Sequence, residues 1–249
     1  MWRIIDLHTD SPEMNMAIDE AIHAAVCAGQ SDPTIRFYKW RPEAVSLGRN
    51  QSAEMVLEDS IRVVRRPTGG NAVFHHEEDF TYSVVAPRAM FNTSFRAAYE
   101  AICGRVIAAI NAVSTLEARL VGKNDIVLDG RKVCGNAMDF TGTAFLQHGS
   151  VFTAPAEERW RSLFDLGGRE LRIAFLGDYL RPGLGSEDFG KALRESFSAL
   201  SPEGVYSGEL SDYEQRLAEE LCRTKYSTVE WNAEGLRKGT ACAADIRED

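Results

Sequence analysis

At 249 residues, 44% hydrophobic and 26% charged, the chain is long enough for one large domain or two small ones and ordinary for a globular protein. A formal net charge of −9 argues against a nucleic-acid partner, and no apolar run approaches the length of a membrane-spanning helix. Five cysteines without CxxC spacing, and no cysteine–histidine cluster of zinc spacing, point to reduced thiols and a cytoplasmic setting.

Residues 1–6 read as a strand and lack the organisation of a signal peptide. Ser11, followed by Pro12 and Glu13, starts a helix running to about residue 28. Residues 37–40 and 45–47 read as strands around the Arg41-Pro42 turn. Residues 80–85 form another, stopped by Pro87. Phe95, Tyr99, Ile102 and Val106 recur at helical spacing over about residues 93–112 and predict a core stripe. Hairpin strands are expected over 125–139 and 144–153, then a short helix near 155–164 and a glycine-rich connection through Gly167 and Gly168, with Pro182-Gly183 further on. Ser186 is expected to cap a helix to about residue 200, and Ser211 with Glu214 forms a capping box for the last one. Glu187, Lys191, Glu214 and Arg216 read as solvated faces.

Two segments carry chemistry. The first is Arg65-Arg66-Pro67-Thr68-Gly69-Gly70-Asn71-Ala72-Val73-Phe74-His75-His76. Its glycines let backbone N–H groups approach an anion, and its arginines supply fixed charge and forked donors for carboxylate or phosphate. On their own these features also suit a surface pair and an ordinary turn. Neither the Walker loop nor the G-x-G-x-x-G fingerprint is present. The second is a hairpin, with Ile126 and Leu128 entering an Asp129-Gly130 turn and Val133 leaving it. Lys132 lies two residues past the turn, where a strand lysine can hold a carboxylate and stabilise charge as it reacts. A solvent-exposed edge lysine is the alternative, although Gly135 and Ala137 leave room for a ligand against the backbone. Strand alternation puts Val133 on the opposite face and Cys134 on the lysine's own.

Together the two segments resemble the lipoate-protein ligase family of the biotin and lipoate ligase superfamily, which carries an RR-x-[ST]-GG-G-AVFHD loop and a K-x-x-G-x-A strand. Residues 15–21, 45–51 and Gln147-His148-Gly149-Ser150 add to the resemblance, which runs from about residue 2 to 165 and more weakly to Trp231. Two positions depart from it: Asn71 replaces a glycine and His76 the closing aspartate.

The resemblance implies an α/β (α+β) fold, with a mixed, largely antiparallel sheet flanked by helices as in class II synthetases. It implies a catalytic domain over residues 1–185, a helical cap over 186–235 and a flexible tail over 236–249, without the accessory domain of the larger ligases. The implied activity is lipoate-protein ligation: lipoate and Mg-ATP form lipoyl-AMP, and the lipoyl group passes to a lysine of a carrier domain. Lys132 would be catalytic. Arg65, Arg66, Gly69, Gly70, Asn71, Ala72, Val73, Phe74, His75, Asn124, Asp125 and Lys132 would bind ATP or the adenylate, with Asp125 on Mg²⁺. Val73, Lys132, Gly135, Ala137, His148 and Gly149 would hold lipoate, with the Val151-Phe152 strand also a candidate for the apolar tunnel. A separate accessory protein is a further possible partner; nucleic acid and membrane are not expected.

One competitor is an ATP-independent octanoyl or lipoyl transferase that uses a cysteine just before the lysine hairpin or in a Pro-Cys-Gly element. This chain has Gly122-Lys123-Asn124-Asp125 at the first place and no Pro-Cys-Gly, which favours the ligase. Cys27, Cys103 and Cys222 read as small buried residues in helices, and Cys134 as packing. The second competitor is a non-catalytic lipoate- or nucleotide-binding relative.

Overall fold

The computed structural model describes residues 1–122, 124–165 and 170–234. Lys123, Gly167, Gly168, Cys242 and the expected tail lie outside the described residues.

Strand β1 (Trp2–Asp10) leads into helix α1 (Pro12–Cys27), whose first free N–H groups are capped by Ser11: its side chain accepts from the Met14 N–H. Strand β2 (Thr34–Trp40) returns parallel to β1. Three short strands, β3 (Ala44–Leu47), β4 (Arg62–Arg65) and β5 (Val73–His75), form a separate sheet in the order β4-β3-β5. β6 (Phe80–Pro87) rejoins the main sheet beside β2 and is followed by α2 (Phe95–Val113). A meander follows: β7 (Arg119–Val121), β8 (Asp125–Leu128), β9 (Arg131–Asp139) and β10 (Ala144–Val151), the last pairing back onto β6. After α3 (Glu157–Leu163) and α4 (Ser186–Ser198), β11 (Val205–Ser207) joins the far edge against β1, and α5 (Asp212–Leu221) packs on α1. The main sheet runs β11-β1-β2-β6-β10-β9-β8-β7 and is parallel only at β11–β1–β2. This is a mixed α+β fold with a large, mostly antiparallel sheet flanked by helices.

Both faces of the main sheet are covered, so its central strands have no solvent side. Along β6 the odd–even alternation sends Phe80, Tyr82, Val84 and Ala86 to the core under α2 and α4, while Val85 packs under α1. Thr81 and Ser83 share the α1 side with Val85, as do His148 and Ser150 on the paired strand. That polar stretch of an otherwise covered face is where a pocket forms. The short sheet and α3 enclose a third core around Val45, Leu47, Phe74 and Trp160.

Short-range backbone chemistry sets the local turns. Asp129 and Gly130 both take positive φ, the geometry that a two-residue hairpin of matching twist requires. Two readings need correction. Gly185, not Ser186, occupies the cap position of α4, and the Asp188 carboxylate accepts its N–H. Glu214 is not solvated: it is fully buried and takes a forked pair of hydrogen bonds from Arg3 at 2.8 and 2.5 Å, one from Ser31 at 2.8 Å and one from the Ser211 N–H at 2.8 Å. Amphipathic spacing could not reveal this, because the partner comes from β1, some 200 residues away.

Removing one member of a buried ion pair leaves the other charge without compensation. Glu214→Ala is therefore expected to lower unfolding stability by about 3–5 kcal/mol, measured by urea denaturation. A loss below about 1 kcal/mol would mean that water reaches Arg3 and the pair is not buried in solution.

Candidate active site

The lysine hairpin is shaped by a bulge. Ile126 pairs with Cys134 but Val127 pairs with Lys132, so β9 carries one extra residue at Val133. An unbroken strand would set Lys132 on the side of Cys134 and Asn136. The bulge sets it on the side of Gly135 and Ala137 instead, and sends Val133 and Cys134 together into the core. This corrects the expectation that Cys134 shares the lysine's face. Gly135 matters here, because a Cβ at that position would lie 3.0 Å from Lys132 Cε. The lysine stem lies across the glycine and its ammonium reaches Asp125 at 2.7 Å. Asn124 and Asn136 lock the neighbouring backbone by reciprocal bonds to each other's carbonyls, both 2.8 Å.

The arginine–glycine loop forms the opposite wall. A Cβ at Gly48 would fall 1.9 Å from the Gly70 carbonyl oxygen, so the loop seats on β3 only because a glycine is there; Gly70 itself takes φ +94°. Arg66 is buried and all five of its N–H donors serve the protein: Thr68 Oγ1, the Ser46 carbonyl and hydroxyl, and the carbonyls of Gly69 and Asn71. None of these acceptors is a carboxylate, and burial lowers its pKa to about 10. Arg66 thus holds the loop and lends it positive charge. Arg65 faces away from the pocket and binds the carbonyls of Gly48, Gln51, Trp231 and Asn232. It anchors the C-terminal segment. His76 gives its ring to the Glu78 N–H, and a buried carboxylate is supplied three residues later by Asp79, which accepts from the His76 and Thr153 N–H groups. Burial raises the Asp79 pKa to about 6.

Under α1 the floor is polar. Asp19, buried, accepts from Arg36 (2.8 Å), Tyr38 (2.9 Å) and Ser83 (2.8 Å) and pairs with His148 Nδ1 at 3.0 Å. His148 Nε2 reaches Thr68 Oγ1 at 2.7 Å, so the histidine orients the arginine–glycine loop from below. His75 stacks on Trp40 at 4.0 Å and bridges Ser46 (2.8 Å) and Ser150 (2.9 Å). Burial, and then the Arg66 charge, push the His75 pKa well below the ordinary range, so this imidazole is neutral.

One pocket collects most of the expected residues. Arg66, Gly70, Asn71, Ala72, Val73, His75, Asn124, Asp125, Lys132, Gly135, Ala137, His148 and Gly149 line it. Arg65, Gly69 and Phe74 do not, and Val151 and Phe152 point into the cores. Asn71 does not take a left-handed conformation. Sequence reasoning missed Met16, Tyr38, Trp40, Ser46, Thr81, Asn136 and Ser150. The alternation of residues 80–85 with 147–151 carried a signal for two of them, since Thr81 and Ser150 interrupt the apolar side of paired strands. Asp125, the one carboxylate lining the pocket among the described residues, is bound to Lys132, and no group of three metal-ligating side chains occurs among those residues.

No described cysteine lines the pocket. Burial pushes Cys103 up to about 12 and Cys134 well above the ordinary thiol range. Cys27 is not the inert buried residue expected. Burial raises its pKa, but the His23 ring 3.6 Å from its sulfur outweighs that and brings it down to about 7, away from the pocket.

The comparisons with known proteins agree on the family and divide on the chemistry. Octanoyltransferase LipM of Brevibacillus brevis is 32% identical over 93% of this chain and 98% of that protein. A crystal structure of lipoate-protein ligase A bound with ATP superposes with a TM-score of 0.83 at 26% identity, covering 94% of this chain and 99% of that one. A putative lipoate protein ligase from T. acidophilum with bound lipoic acid gives 0.81 at 26% identity, covering 93% and 98%. The expectation of an ATP-dependent ligase is corrected by the first of these findings: the sequence relatives of 28–32% identity that match 93% of the chain are named octanoyltransferases. The lack of a cysteine before the hairpin does not by itself imply adenylate chemistry. A model of the lipoyl protein ligase A/B catalytic domain matches residues 11–198; the chain belongs to that family.

Proposed function

We propose that this protein transfers an eight-carbon acyl group, octanoyl or lipoyl, from a thioester donor to the ε-amine of a lysine on a lipoyl-carrier domain, without ATP. The observation that carries the reading is the near full-length likeness to octanoyltransferases.

The pocket supports it. Lys132 and Asp125 stand at its mouth with partly exposed side chains, while its inner wall of Tyr38, Trp40, Thr81 and Ser150 is buried. Register places Gly135, Ser150, Thr81 and Tyr38 in one row across β9, β10, β6 and β2. Three strand spacings make that row about 14 Å long, room for an extended eight-carbon chain. The acyl carbonyl then lies beside Lys132 and the tail runs inward between Val73 and Ala137.

In this reading the carrier amine attacks the thioester carbonyl directly. The Lys132 ammonium stabilises the oxyanion as the C–N bond forms, the C–S bond breaks, and the thiolate leaves with the proton given up by the amine. Asp125 fixes the ammonium over Gly135. No enzyme thioester on a described cysteine is required.

Purified protein given octanoyl-acyl carrier protein and a lipoyl domain is expected to acylate the domain with no nucleotide present, read by intact mass spectrometry. Lipoate-dependent exchange of labelled pyrophosphate into ATP is expected to be silent, and measurable exchange would overturn the ATP-free reading. Lys132→Ala is expected to lower kcat by about 100- to 1000-fold with unchanged thermal unfolding. Undiminished transfer by that variant would remove Lys132 from the chemistry.

A further inference from the structure

Five hydrogen bonds join six side chains along the inner wall of the pocket. Arg66 donates to Ser46 Oγ at 3.3 Å, and Ser46 Oγ meets His75 Nε2 at 2.8 Å. His75 Nδ1 meets Ser150 Oγ at 2.9 Å, and Ser150 Oγ meets Thr81 Oγ1 at 2.6 Å. Trp40 Nε1–H donates to Thr81 Oγ1 at 2.8 Å. Both ends of this chain are obligate donors, because neither a guanidinium nor an indole N–H can accept. With His75 neutral, each member brings one hydrogen to the chain: six hydrogens for five links. The surplus hydrogen cannot sit on Arg66 or Trp40, and a neutral imidazole cannot accept on both sides. It therefore belongs to a hydroxyl that accepts from both neighbours, whichever way the rotors are set. The three hydroxyls, Ser46, Ser150 and Thr81, are buried, make no other hydrogen bond among the described residues, and all line the pocket.

We infer that the pocket's inner wall aims one unmatched hydroxyl hydrogen at the ligand and selects an acyl chain with an acceptor at its far end, the sulfurs of a dithiolane, over a plain alkyl chain. The inference rests on the acyl-pocket reading above and decides between its two acyl groups. Register places two of the three hydroxyls: Ser150 lies one strand and Thr81 two strands inward from Gly135, about 5 and 10 Å along the row, so a hydrogen on either meets the middle or the far end of the chain. A saturated tail would bury that donor without a partner; a divalent sulfur of the dithiolane can accept it weakly.

Calorimetric titration of the purified full chain with lipoic acid, octanoic acid and 5-cyclopentylpentanoic acid separates the possibilities. The cyclopentyl acid has the outline of lipoic acid without its sulfurs. Lipoic acid is expected to bind roughly 2- to 10-fold tighter than the cyclopentyl acid. Equal binding of those two would show that shape alone is read and would overturn the inference while leaving the acyl pocket standing. Binding of none of the three acids would sink the acyl-pocket reading itself, and the inference with it. Ser150→Ala gives a second, opposite-signed test. Cutting the chain there leaves two unmatched donors, one in each fragment, so the preference for lipoic acid over its carbocyclic isostere should widen. A preference that closes in this variant would overturn the hydrogen count.

Discussion

The buried carboxylate of Asp19 ties together the parts on which the site depends. It sits on α1 and binds β2 through Arg36 and Tyr38, β6 through Ser83 and β10 through His148. Burial alone would raise its pKa, but the His148 bond and the Arg36 charge hold it below the ordinary carboxylate range. It is therefore the ionised form that the fold is built around. In a low-dielectric interior such a network is favourable only when each member is satisfied, which is why four neighbouring polar side chains converge on one group. The contribution is present above the carboxylate's unfolded pKa and declines as acid protonates it. Helix, sheet and loop are fixed by one charge.

From that hub the order passes outward to the functional groups. His148 carries it to Thr68, and Thr68 to Arg66, whose donors close the arginine–glycine loop on itself. On the other wall the bulge at Val133 aims Lys132 across Gly135. The two walls need not touch: each is registered to β10, through His148 on one side and Ser150, paired with Gly135, on the other. Lys132 and the loop can therefore hold a constant separation while the space between them stays open.

The C-terminal segment belongs to this scheme as well. Arg65, adjacent to the pocket arginine but turned away from it, binds the Trp231 and Asn232 carbonyls, and the Asn232 side chain accepts the Arg65 N–H at 2.8 Å. The two arginines thus divide their work by alternation. One shapes the loop around the ligand space, and its neighbour buttresses that loop from behind with residues more than 160 positions later.

Residues close in sequence determined their own local geometry, and these could be read directly. Ser11 before Pro12, Ser211 with Glu214, and Asp129-Gly130 each carry a short-range reason for the cap or turn they form. The two motifs also named most of the pocket, because each is a continuous stretch that keeps its members together. Tertiary structure decided the rest. Which face Lys132 takes depends on one extra residue in a ladder, and periodicity cannot show a bulge. Glu214 is buried because β1 brings Arg3 to it, and Thr81, Ser150, Ser46 and Trp40 become one wall only when three strands and a second sheet meet. Hydrogen bonds between residues far apart in sequence leave no period to read, since their partners are chosen by packing rather than by spacing.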